Sequence, residues 1–251
     1  MHDEFHALEA SAVRLSGLVD RLGFDQLTTR AYPAKWTIAD VLSHLGSGAV
    51  IMVANVEAQI TGIALADGYN QSVWDDWNSK QPAAQARDAL AADRALLDRI
   101  DALSDQQRVD FQFDLGPISV DLAKFLGLRL NEHTLHTWDI EVVLEPSATL
   151  AAEGTDLVVD NLELVGRFGA KPDGNERRVN VHTTEPSRDF TITSSPDAVS
   201  LTPSTNAAAP DLQLPAEAFV RLVYGRLDPG HTPRGVEGPE VESLRSIFPG
   251  L

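Results

Sequence analysis

The chain contains no cysteine. This excludes disulfides, a thiolate-ligated metal and a protein thiol nucleophile, so any thiol chemistry must arrive with a cofactor. Positive charge is also scarce. Lys and Arg number 20 against 37 Asp and Glu, a formal net charge of −17. Such a surface repels nucleic-acid backbones and anionic membranes, and an anionic substrate would need a local basic group. No apolar run reads as long enough to span a bilayer. The start, Met1-His2-Asp3-Glu4-Phe5, lacks the basic and apolar regions of a secretion signal. The expected location is the cytoplasm, and the expected partners are small molecules, not nucleic acid or membrane.

What is present is the composition of an ordinary globular protein of 251 residues, enough for one large domain or two smaller ones. Phe5, Leu8, Leu15, Leu18 and Leu22 mark an amphipathic helix over 3–22. Thr37 followed by Asp40 at the third helical position is a capping-box variant, opening a helix that runs to about Thr61. Gly46 and Gly48 lie inside it and leave room for a ligand or another backbone. Residues 62–80 read as a long irregular connection rich in aromatics, including Trp74 and Trp77. Residues 81–103 form a third helix and 118–145 a fourth, with a turn-rich link between. Four such helices suggest a four-helix bundle. After Pro146 the pattern changes. One more helix is expected over 152–168, then short alternating runs at Val179–His182, Phe190–Thr193, Val199–Thr202 and Leu212–Leu214. These read as a small antiparallel sheet, with helices at 215–226 and 239–248. The fold class is therefore α+β: a bundle domain over 1–149 and a smaller α+β domain over 150–251.

The chemistry concentrates in Asn131-Glu132-His133-Thr134-Leu135-His136-Thr137-Trp138-Asp139 on the fourth helix. Glu132 and His136 are four apart, so a helix stacks them on one face together with Phe125, Leu128 and Asp139. A carboxylate and an imidazole so placed can hold one metal ion if a third ligand comes from elsewhere. His44, on the second helix, is the best third ligand. Spacing alone leaves open a buried histidine paired with a glutamate. His133 points ~100° away around the helix and reads as a surface or outer residue, not a ligand. Asp40, one turn before His44, reads first as a cap and second as a hydrogen-bond partner of the His44 ring. Metal-dependent hydrolysis would also fit such a site, with no obvious general base beyond Asp139.

The stretches Trp36-Thr37-Ile38-Ala39-Asp40-Val41-Leu42-Ser43-His44-Leu45 and Glu132-His133-Thr134-Leu135-His136-Thr137-Trp138-Asp139 resemble the mycothiol-dependent maleylpyruvate isomerase family, within the larger DinB-like group of metal-binding four-helix bundles. Val181-His182-Thr183-Thr184-Glu185-Pro186 and Arg221-Leu222-Val223-Tyr224-Gly225-Arg226-Leu227 resemble that family's second domain, which is sterol-carrier-like. The likeness covers nearly the whole chain. It implies a divalent metal, zinc first, on His44, Glu132 and His136, with mycothiol as the thiol cofactor. It implies an isomerase in which a thiolate adds to a cis-unsaturated acid, the resulting single bond rotates, and elimination gives the trans isomer. It also implies a basic residue from the second domain to meet the substrate's carboxylates, with Arg226 the first choice and Arg221 the second. A thiol S-transferase acting on electrophiles, or a non-catalytic metal- or ligand-binding regulator, would use the same residues.

Overall fold

A computed structural model describes residues 2–116, 118–205 and 209–250. The chain divides into two compact units, Met1–Ala148 and Thr149–Leu251.

The first unit is built on four long helices: α1 (His2–Val19), α3 (Ile38–Thr61), α5 (Pro82–Asp101) and α7 (Leu122–Leu144). α3 and α1 each pack against both α5 and α7, which closes the bundle. Its centre is one apolar cluster that includes Leu15, Leu18, Ile38, Val41, Leu42, Leu45, Trp77, Ala89 and Ile140. Short elements fill the connections: α2 (Phe24–Leu27), α4 (Tyr69–Ser79), α6 (Asp105–Asp110) and a hairpin of β1 (Phe113–Leu115) with β2 (Ile118–Val120).

Several sequence expectations are corrected here. The connection over 62–80 is not irregular, because α4 occupies most of it. Val73 and Trp77, four apart, give this short helix one apolar edge, and that edge packs into the core. Gly46 is what receives Trp77: a Cβ at that position would lie 2.2 Å from the indole ring and 2.9 Å from Ala89 Cα. Trp77 is therefore core, while Trp74 is exposed. The fourth helix starts at Leu122, after β2, with the Asp121 side chain accepting from the Lys124 N–H as a cap. α3 does reach the length and composition of a membrane-crossing helix, at 24 residues and a mean hydropathy of 1.3. Half of that apolar window is buried inside the bundle, as in a core helix of a folded domain.

The second unit carries α8 (Ala152–Val158), a 3-10 turn at Val159–Asn161 and α9 (Leu162–Gly169), where the sequence suggested one continuous helix. Four strands follow: β3 (Arg177–Thr184), β4 (Arg188–Ser194), β5 (Val199–Pro203) and β6 (Leu212–Pro215), in the order β5-β4-β3-β6. β3, β4 and β5 pair antiparallel, but β6 runs parallel to β3, Val181 opposite Leu212. The sheet is thus mixed: after β5 the chain returns to the far edge and adds β6 beside the first strand of the meander. Alternation puts Val179, Val181, Phe190, Ile192, Leu201 and Leu214 into the core, and α10 (Ala216–Val223) closes it with Phe219 against Phe190. α11 (Pro239–Ile247) completes the unit.

Candidate metal centre

The start of α3 is fixed before its histidine is reached. Thr37 Oγ1 accepts from the Asp40 N–H, and Asp40 Oδ2 accepts from the Thr37 N–H at 2.8 Å and from its hydroxyl. Asp40 therefore completes the capping box of Thr37, and its carboxylate is spent there. One turn further, His44 faces α7.

There the structure brings three donors together. His44 Nε2 lies 2.9 Å from Glu132 Oε2, and His136 Nε2 lies 3.5 Å from the same oxygen. The two imidazoles meet edge to face with centroids 4.6 Å apart. One donor atom from each of the three residues falls within 4.8 Å of the others. Two ligands on a tetrahedral zinc at about 2.0 Å stand about 3.3 Å apart, so the observed separations suit such an ion. The donor set, two nitrogens and one carboxylate oxygen, also suits it. His44 and Glu132 side chains keep 38 and 42% of their surface exposed, against 10% for His136. The group is open on one side, as a site with free coordination positions must be.

The surroundings orient these donors. The wholly buried Asp139 carboxylate stands 2.8 Å from His136 Nδ1, which sets that ring so that Nε2 turns to Glu132. Trp36 stacks on His136 at 5.7 Å and lies 5.2 Å from His44, covering both rings on one side. Withdrawal from water works against ionised Glu132, but hydrogen bonds and charge from His136 and His44 outweigh it and hold the carboxyl well below the usual carboxylate range. Burial likewise disfavours protonated His136, but Asp139 and Glu132 together raise its pKa above the ordinary histidine value.

Asp139 is thus a partner of a candidate ligand. His133 is not at the surface. It is completely buried, with Nδ1 2.8 Å from Ser11 Oγ and Nε2 3.1 Å from Asp93 Oδ2. Sequence reasoning missed these partners because they come from α1 and α5. It also missed Trp36 as a wall of the site; its aromatic character just before the cap was the available signal. Both candidate arginines lie in the second unit. Arg221, 2% exposed, gives Nε and Nη2 to the Glu217 carboxylate at 2.7 and 2.9 Å and Nη1 to the His231 carbonyl. Arg226 is half-buried and donates Nη1 to the Tyr224 carbonyl.

The family model described as "Mycothiol maleylpyruvate isomerase N-terminal domain" matches residues 8–141. Two solved structures resemble the whole chain: a mycothiol-dependent maleylpyruvate isomerase at 13% identity and a histidine-to-alanine mutant of such an enzyme at 12%. Each has a TM-score of 0.67, with 95% of both chains covered. At that identity the likeness is one of fold. No curated protein matches the chain. Since the matched segment, which carries all three candidate ligands, exceeds half of the 251 residues, the protein belongs to the mycothiol maleylpyruvate isomerase N-terminal domain family.

Proposed function

We propose that this protein is a metal- and mycothiol-dependent isomerase of the maleylpyruvate isomerase type, acting on a cis-unsaturated acid. The observation that carries this reading is the convergence of His44, Glu132 and His136 on one point open to solvent. These residues would hold a divalent cation, zinc first. When bound, the cation supplies the Lewis acidity that keeps a thiol ionised near neutral pH, and mycothiol supplies the nucleophilic sulfur. The lack of cysteine fits this division of labour, since the chain itself has no thiol to offer. The rest falls to the chain's own residues. Glu132 contributes a carboxylate held ionised by its neighbours, which offsets the positive charge of a cation. Asp139 fixes the tautomer and direction of the His136 ring, donor Nε2 outward. Trp36 limits water on the ring faces. Arg226 is the proposed counter-charge for a substrate carboxylate, which a guanidinium can bind bidentately, with Arg221 the second choice.

The test is metal content of the purified protein beside a His44→Ala/His136→Ala variant, followed by mycothiol titration and assay on maleylpyruvate. About one metal per chain, lost in the variant, with thiol binding only in the loaded form and turnover of the cis acid, supports the reading. Turnover of electrophiles but not of cis acids would replace it with S-transfer. Metal without thiol binding would leave a structural or regulatory site.

A further inference from the structure

A chain of buried polar groups crosses the bundle at positions next in sequence to the candidate ligands. Ser11 on α1 faces His133 Nδ1 at 2.8 Å, and His133 Nε2 faces Asp93 Oδ2 on α5 at 3.1 Å. Arg129 Nη2 donates to the other Asp93 oxygen at 2.5 Å and also to the Leu45 carbonyl on α3 at 2.8 Å. An ionised Asp93 accepts from both sides, from His133 Nε2 and from the Arg129 guanidinium. These links tie α1, α3 and α5 to α7, with α5 held through both His133 and Arg129. Leu45 is the residue after His44, Arg129 comes one turn before Glu132 and His133 directly follows it.

We infer that Arg129, with Asp93 and Gly48, is the positioning apparatus of the metal site, setting the distance and rotation of α7 against α3 at His44. Asp93, Arg129 and His133 are 4, 3 and 0% exposed. Filling such a layer with apolar side chains is often neutral or favourable for stability, so a buried ion pair is weak evidence of stabilisation. The Arg129 Nε is moreover buried with no hydrogen-bond partner among the described residues, a cost an apolar residue would not incur. Directed hydrogen bonds provide what apolar contact does not: a fixed axial register and rotation. The site needs that, because its ligands sit on two helices and must agree to within a few tenths of an ångström. Gly48 belongs to the device, since a Cβ there would lie 3.0 Å from Arg129 Nη1. The glycine leaves the space in which the guanidinium reaches α3.

This inference rests on the metal reading above, and the experiment separates the two. Zinc affinity of the full-length protein is measured by competition with a chromophoric chelator, and Co²⁺ loading is followed by its visible absorption. The panel is wild type, Arg129→Met, Gly48→Ala and Arg14→Gln, each also melted without metal. Arg14 pairs with Glu141 between α1 and α7 and serves as the structural control. Wild type that binds neither ion sinks the metal reading itself. Given wild-type binding, the expected result is an affinity loss of about tenfold or more in Arg129→Met and Gly48→Ala, with an altered Co²⁺ spectrum. Gly48→Ala should show this while its metal-free melt is unchanged or raised, since Ala favours the helix. Arg14→Gln should bind as wild type. Should Arg129→Met fail to fold, Gly48→Ala decides alone. Wild-type affinity and spectrum in the folded variants, or an equal loss in Arg14→Gln, overturns the inference.

Discussion

The carboxylate of Asp139 lies 2.8 Å from Nδ1 of His136, three residues earlier on the same helix, and is wholly inaccessible to solvent. One turn of α7 thus holds both a candidate ligand and the group that aims it. Replacing Asp139 with Asn keeps the shape but removes the charge and allows the wrong tautomer. The expected outcome is a fall of about 10- to 100-fold in zinc affinity, measured by chelator competition, with the helical circular dichroism unchanged.

Metal binding should also register as stability. A ligand that binds only the folded state adds about 2.7 kcal/mol at a hundredfold excess over its dissociation constant. Thermal melts with zinc and with excess chelator should therefore differ for wild type and coincide for His44→Ala. Coincident wild-type melts would count against the site.

Asp93 gives a pH dependence with a definite sign. Burial raises its pKa, but Arg129 and His133 overcome this and leave it below the usual aspartate value. A carboxylate with a lowered folded pKa contributes stability above its unfolded pKa, about 3.9, and loses it as pH falls toward the folded value. Urea midpoints should thus drop below about pH 4, and in Asp93→Asn that acid limb should be shallower, starting from lower stability at pH 7.

The Gly46 contact predicts overpacking. Gly46→Ala gains about 1 kcal/mol of helix propensity. It also drives a methyl into the Trp77 ring and the α5 backbone at Ala89, which do not yield easily. The expected net effect is destabilisation by about 1–3 kcal/mol, read as a lower urea midpoint with an unchanged slope.

The two arginines separate by experiment. Arg221→Met leaves the Glu217 carboxylate without its guanidinium and should destabilise the second unit by about 3–5 kcal/mol. Arg226→Gln should raise KM for a dicarboxylate about tenfold or more, with a smaller change in kcat. An unchanged KM would remove Arg226 from the proposed site.

How much of this was legible in the chain differs from element to element. The capping pair Thr37 and Asp40, the apolar period of α3 and α5, and the four-residue spacing of Glu132 and His136 are local, and local geometry is what sequence encodes most directly. α4 escaped because only Val73 and Trp77 mark its buried edge. The parallel pairing of β6 escaped because alternation identifies a strand but not its neighbour or direction.

By itself the sequence determined that this chain supplies no thiol, that four helices would bundle, and that Glu132 and His136 would share one helix face, with His44 the third candidate through the family resemblance. Only the tertiary structure decided that His44 and Glu132, 88 positions apart, would meet at 2.9 Å. It likewise decided that His133 would lie in the core and that Gly46 and Gly48 would admit Trp77 and Arg129. The physical reason is the same throughout. A helix fixes which residues share a face, but what that face meets depends on rotation and register between helices. Those are set by packing and buried hydrogen bonds whose partners lie far apart in the chain.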